Sequence, residues 1–356
     1  MQVIRRGIVS HVTDSFFSYH AWPSVCADEN GVIYVVCSGL RMAHMCPFGK
    51  IVLFKSRDGG NSFGLPTVVC DHFLDDRDPG ILYLGGGRML VTRCSHPAAT
   101  YETEFTDWLR SDSGAAGLGL VAHYGAIPPA ERTGGCFYRV LTQYGEAAEA
   151  EQRIPVHAPH GPILLRSGEI LYLGKALFDP DPARADRFSV WASTDGAASF
   201  HKKGDCVPPA DYRLDQLHEA HCVELPDGRL LALFRTHLTA NDHYFTLLRA
   251  VSQDGGISWK DWVETGVCGS PPHLCPTADG AVLTYGRRIP PYGIRARKVA
   301  ADGKLSAEEY CLADCADSDI GYPSSVVLPD GSIFTVYYAR CQGESTASLL
   351  SVTWTL

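Results

Sequence analysis

No run in the 356-residue chain approaches the ~18 consecutive apolar residues of a membrane-spanning helix, so no helical membrane span and no membrane partner are expected. The opening residues, Met1-Gln-Val-Ile-Arg-Arg6, hold no apolar stretch of the kind a secretory signal uses, so none is expected. Positive charge is in deficit: 31 Lys and Arg face 40 Asp and Glu, a formal charge of −9. A nucleic-acid partner calls for the opposite balance and is not expected. No C-x-x-C pair occurs. Cys311 and Cys315 have no second Cys/His pair nearby, and His157 and His160 lack a carboxylate at ligand spacing, so no metal is expected. Gly85-Gly-Gly87 reads as a hairpin turn rather than a strand-to-helix phosphate cradle, so no nucleotide cofactor is expected.

The 45% hydrophobic and 20% charged composition that remains suits a globular core rather than disorder. Thirteen cysteines have to be placed. The number is odd, and most sit singly in apolar, strand-like runs such as Val35-Val-Cys37. They read as small buried hydrophobes. Free thiols with no signal peptide imply a reducing, cytoplasmic setting.

One pattern recurs six times: a short apolar run, a turn containing Gly, and a second, more strongly apolar run. The turns are Asn30-Gly31, Gly85-Gly-Gly87, Ser167-Gly168, Asp227-Gly228, Asp279-Gly280 and Asp330-Gly331. Asn-Gly and Asp-Gly between β-rich runs are strong hairpin signals, because the tight turn needs φ > 0. A unit repeated about every 50–60 residues means a propeller or solenoid, and six units predict an all-β, six-bladed β-propeller occupying 1–356 as one domain. The repeat is stretched once, so residues 95–160 are expected to hold an insertion or long loop. Its Ala/Glu/Gly-rich part, Tyr101 to Arg153, has weak strand character and would rim a site. The strand-like ends, Gln2 to Val9 and Ser348 to Leu356, are expected to pair in one blade and close the ring.

A second signature, S-x-D-G-[GA]-x-S-[FW], appears at Ser56 to Phe63, Ser193 to Phe200 and Ser252 to Trp259. Each copy follows its hairpin as a turn between third and fourth strands would. Asp58, Asp195 and Asp254 can accept backbone N–H bonds there while Gly supplies φ > 0, so the motif reads as a structural staple. Arg110 to Gly114 and Ala300 to Gly303 look like decayed copies in blades two and five. Hairpins and staples together resemble the sialidase (neuraminidase) superfamily of six-bladed propellers, the Asp-box or BNR-repeat proteins, over essentially the whole length.

Polar residues flank the apolar runs at one face of such a ring. Before the first strands stand His20-Ala-Trp22, Arg77-Asp78, His160, Glu219-Ala-His221, His273 and Tyr322; after the second strands stand Arg41, His96, Lys175, Arg235, Arg287-Arg288 and Arg340. So many charged and hydroxyl groups after apolar runs imply a hydroxyl-rich or anionic ligand, and a carbohydrate fits. The resemblance implies more. The run Glu219 to Arg235 is similar to the family segment with an active-site Glu at its head and a ligand-binding Arg at its tail. Gly321-Tyr322-Pro323 resembles the segment bearing a tyrosine nucleophile, which the Glu activates, since a phenol of pKa near 10 is a poor nucleophile unaided.

Two family elements are displaced. The first carboxylate-binding arginine of the family falls on Ala21, and Arg287, Arg288 and Arg295 compete for the blade-five arginine. Met42 to Lys55 holds no Asp or Glu, so Asp78 or His44 is expected as general acid. Arg41, Arg77, His20, His160, His221 and Trp22 complete the expected substrate-binding set, with the Trp22 indole face stacking on a sugar. The resulting expectation is a sialidase-like, exo-acting glycoside hydrolase on a terminal, acidic sugar. A polysaccharide lyase and a non-catalytic glycan-binding propeller are the rival readings of the same face.

Overall fold

A computed structural model describes residues 1–179, 181–237 and 245–356. Six antiparallel sheets stand around an axis. Blade one runs outward through Tyr19–Ala27, Ile33–Arg41, Lys50–Ser56 and Thr67–Cys70. Blade two uses Asp76–Gly85, Arg88–Ser95, Gly135–Thr142 and Gln152–Arg153; blade three uses Ile163–Leu164, Ile170–Lys175, Phe188–Ser193 and His201–Cys206. Blades four and five use Leu217–Glu224, Leu230–Thr236, Thr246–Ser252 and Lys260–Cys268, then Ser270–Thr277, Gly280–Arg287, Gly293–Ala300 and Tyr310–Asp314. Blade six takes Ile320–Val327, Ile333–Arg340 and Ala347–Thr355 from the end of the chain and Gln2–Ser10 from its beginning. Gln2 pairs with Thr355 and Ser10 with Leu349, so the two ends of the sequence zip the ring shut.

Each turn glycine of the six hairpins has positive φ, from 59° at Gly86 to 146° at Gly280. Most residues of the second strands are buried, because each blade packs against two neighbours. Six apolar clusters fill the six interfaces. Val25, Val35 and Phe54 meet Phe334, Val336 and Leu349 between blades one and six, for example, and Leu171 and Val190 meet Ala232 and Phe234 between three and four.

The three S-x-D-G turns share one geometry. Asp58 Oδ1 accepts from Ser62 N at 2.9 Å and Oδ2 from Ser62 Oγ at 2.6 Å, while Ser56 Oγ accepts from Gly60 N at 2.8 Å. Asp195 and Asp254 repeat the pattern with Ser199 and Ser258. Each turn joins a third strand to an outer strand, away from the axis.

The stretched repeat holds a helical insertion. Residues 96–134 leave blade two between its second and third strands and are largely helical, with Ala98–Glu102 and Thr106–Ala122. The rest of the stretch supplies the third strand, Gly135–Thr142, and the outer strand, Gln152–Arg153. Arg110 to Ser113 therefore lie in a helix that kinks at Gly114, and not in a decayed staple; the turn between third and outer strands is at Gln143 to Gly145, where all three residues have positive φ. No side chain caps the N-terminus of either helix and Gly114, at φ 58° and ψ −149°, interrupts the longer one, so its start and stop signals are weak in sequence. Packing holds it instead. Tyr101, Leu109, Tyr124 and Ile127 bury against Met45 and Leu74 of the ring, and Tyr124 Oη donates to Pro47 O at 2.6 Å.

Candidate active site

The inner strands enter the site through broken ladders. Strand pairing skips between Ala21 and Ser24, Arg77 and Gly80, Leu217 and Ala220, Ser270 and His273, and Gly321 and Ser324. Trp22, Asp78, His160 and Tyr322 have φ of 53°, 49°, 71° and 49°. Non-glycine residues held at positive φ are strained, and bulges re-aim the side chains they carry. Pro23, Pro79 and Pro323 follow three of them directly. The same irregularity at equivalent places in separate blades turns side chains toward one end of the axis.

Tyr322 and Glu219 meet there. The Tyr322 hydroxyl donates to Glu219 Oε1 at 2.5 Å, and Arg235 Nη1 donates to both carboxylate oxygens at 2.9 Å. Burial would raise the Glu219 carboxyl, but Arg235 and the Tyr322 hydroxyl outweigh it and hold it down at about 2. Burial, then the charges of Glu219 and Asp78, push the Tyr322 phenol well above its ordinary value. The ground state is thus a neutral phenol bonded to a carboxylate. Arg235 lies over the Phe245 ring at 3.7 Å. Arg288 donates to Tyr338 Oη at 3.2 Å and sits 5.7 Å from the Tyr322 ring centre, while its Nε has no partner.

Asp78 is the other carboxyl of the group. Burial and the neighbouring Glu219 charge raise it to about 6 in spite of Arg77, and its Oδ1 is buried without a hydrogen-bond partner. A carboxyl in that environment keeps its proton up to about pH 6, well above the usual carboxylate range. Cys94 and His157 bring a sulfur and a ring nitrogen within 4.8 Å of it, a juxtaposition the sequence separation hides.

His44 forms a different pair. Its Nδ1 lies 3.1 Å from both Asp319 Oδ1 and the Tyr19 hydroxyl, and burial lowers its pKa despite Asp319. Arg340 Nη2 also bonds Asp319 at 2.9 Å. Trp108, from the longer insertion helix, stacks on the His44 ring at 5.5 Å and places the insertion at the rim.

Several expected ligand groups are occupied elsewhere. Arg41 is fully buried and gives its guanidinium to Asp75, Ser38 Oγ and the His44 and Cys46 carbonyls. Arg77 donates to Asp75 Oδ2 at 3.3 Å, an oxygen it shares with Arg41 Nη2. Both guanidinium groups lie over Trp22, at 4.7 and 4.1 Å from its ring. That indole is 2% exposed, so its face is taken by arginine and is closed to a sugar, contrary to the sequence expectation. His20 faces away, edge-on to Phe54, with Nδ1 on Ser18 O.

His221 is an inter-blade tie: its Nδ1 accepts from Leu274 N, as His273 Nδ1 accepts from Ser325 N and Ser324 Oγ from Val25 N. His160 Nδ1 lies 3.2 Å from Ser24 Oγ, one layer below Tyr322. In blade five the arginines separate. Arg287 turns to Pro290 O and Glu309, Arg295 is buried on backbone carbonyls, and Arg288 is the one that faces Tyr322. Asp75, Asp319, Tyr338 and Trp108 were not legible as site residues. Asp319 alone had a signal, standing three residues ahead of Tyr322.

The fold is that of a sialidase-type six-bladed β-propeller. Over all of this chain and 99% of its own, a Dyadobacter fermentans protein of unknown function superposes with a TM-score of 0.76 at 20% identity. The NanB sialidase of Streptococcus pneumoniae superposes over 98% of this chain and 70% of its own, TM-score 0.71, at 12% identity. The α-L-arabinofuranosidase Arb93A of Fusarium graminearum covers 100% and 99%, TM-score 0.64, at 10% identity. No protein-family model and no curated protein matches the sequence.

Proposed function

We propose that this protein is an exo-acting glycoside hydrolase that uses Tyr322 as nucleophile, Glu219 as its base and Asp78 as general acid. The observation that carries the reading is the 2.5 Å bond from the Tyr322 hydroxyl to a carboxylate already fixed by Arg235. Tyr322 Oη attacks the anomeric carbon and passes its proton to Glu219. The glycosidic C–O bond breaks, and the leaving oxygen takes the proton of Asp78. Water then attacks the same carbon, giving a proton to Asp78. The C–Oη bond breaks, and Tyr322 recovers its proton from Glu219. The high phenol pKa and low carboxylate pKa make transfer unfavourable until positive charge develops on the sugar, so the pair acts in the transition state rather than before it.

Arg235 and Arg288 support recognition of an acidic or strongly hydroxylated terminal sugar. The third position of a three-arginine carboxylate clamp is Ala21, which is fully buried, and Arg77 beside it is committed to Asp75 and Trp22. Each missing charge-assisted bond costs about 1.5–3 kcal/mol, so ordinary N-acetylneuraminic acid glycosides are expected to be poor substrates. The sialidase and arabinofuranosidase neighbours support glycosidase chemistry on this scaffold. The thirteen unpaired cysteines support work in a reducing compartment. The test is an aryl-glycoside panel of sialoside, uronides and arabinofuranoside, run on the wild type and on Tyr322→Phe. Turnover of one non-sialoside, lost in the variant, supports the reading. Absence of turnover across the panel, or an ultraviolet-absorbing unsaturated product, contradicts it.

A further inference from the structure

A cavity lies at the opposite end of the axis from Tyr322. It measures about 610 Å³ and is walled by the far ends of all six inner strands, including Val25, Ile81, Ile163, Val223, Cys275 and Val327. Its floor is three imidazoles, His160, His221 and His273, with the last two stacked at 4.6 Å. The Ser24–His160 bond, made over Gly80, separates this floor from the site above. A Cβ on Gly80 would stand 2.3 Å from Gly161, so only glycine lets the strands close there.

The tautomers of the floor are set by the ring. His221 and His273 each accept a backbone N–H at Nδ1, so each carries its proton on Nε2. Binding a metal through Nε2 would move that proton to Nδ1, against the Leu274 and Ser325 N–H groups, so the floor does not suit a cation. It offers the Nε2–H donors of His221 and His273. The carboxylate among the lining residues, Glu224, is paired with Arg166 at the mouth. A donor floor beneath apolar walls selects a ligand with an acceptor-only head and an apolar body.

We propose that the axial cavity is a second binding site, for a small carboxylate with an aliphatic tail, independent of the glycosidase reading. Octanoate is the probe, titrated by calorimetry against octanol and octanamide. His273→Asn is the informative variant, because its Oδ1 replaces Nδ1 toward Ser325 N and only the Nε2–H donor is lost. Ala27→Trp, at the end of the inner strand of blade one, blocks the cavity without touching the floor. The expected result is one octanoate per chain, bound roughly tenfold or more tighter than octanol, weakened by His273→Asn, abolished by Ala27→Trp and unchanged by Tyr322→Phe. Equal affinity for octanol, no saturable binding, or full affinity in the Ala27→Trp protein would overturn the proposal.

Discussion

Between Tyr322 and Glu219 the proton has one strongly preferred owner, and the pH behaviour follows from that asymmetry. Glu219, at about 2, is ionised throughout the working range, whereas Asp78, at about 6, is the group that titrates in it. A general acid must be protonated, so kcat/KM is expected to be level below pH 6 and to fall as pH rises through about 6. Asp78→Asn removes the proton donor. Activity on substrates with poor leaving groups should drop roughly 10²–10⁴-fold, while aryl glycosides with good leaving groups retain turnover and lose the alkaline limb. A pH profile with its limb unmoved in Asp78→Asn would assign the acid to another group, with His44 next in line. At this scale the sequence was partly legible. Glu219, Arg235 and Tyr322 stood beside recognisable hairpins and meet in space. The covered face of Trp22 was not legible, because it depends on two arginines whose partner, Asp75, had no sequence signal of its own.

Asp75 belongs to the scale of elements. It is fully buried and ties together Arg41 and Arg77, the backbone of Gly49 at 3.0 Å, and Tyr101 of the helical insertion. Burial would raise its carboxyl, but the two arginines hold it below the usual carboxylate range. Removing one partner of a buried charge cluster leaves the others uncompensated, at a cost of about 3–5 kcal/mol. Asp75→Ala is therefore expected to unfold or severely destabilise the protein in thermal melts. Tyr101→Phe should loosen the insertion with a smaller loss. The S-x-D-G staples give the opposite contrast. Asp195→Ala should lower Tm by a few degrees while turnover per folded molecule stays intact, and selective loss of activity would contradict a structural role. Turns such as these are legible because one local motif fixes the whole geometry. The insertion was not, because its helices have no side-chain caps and owe their place to Tyr101, Leu109 and Tyr124 packing on the ring.

The whole molecule is held by closure. Removing residues 1–10 would strip the Gln2–Ser10 strand from Ala347–Thr355 and leave a long unpaired edge. That truncation is expected to aggregate, and a soluble, cooperatively unfolding product would contradict the account of ring closure. Six repeats and two strand-like ends make this architecture readable from sequence, since a repeat that cannot bury itself alone must stack on its neighbours. The thirteen cysteines test the interior independently. All thirteen are unpaired and nine are buried, so denatured protein should titrate thirteen thiols, whereas native protein should react chiefly at exposed Cys311.

In the proposed mechanism Tyr322 becomes covalently attached to the sugar. The direct measurement is intact mass and peptide mapping after incubation with a fluorinated, activated analogue of whichever glycoside the panel shows to be turned over. Such an analogue slows release of the glycosyl-enzyme. The account requires one glycosyl unit per chain, mapped to the peptide containing Tyr322 and absent from Tyr322→Phe. Turnover of the parent glycoside with no adduct, or an adduct on a carboxylate such as Glu219 or Asp78, would contradict it.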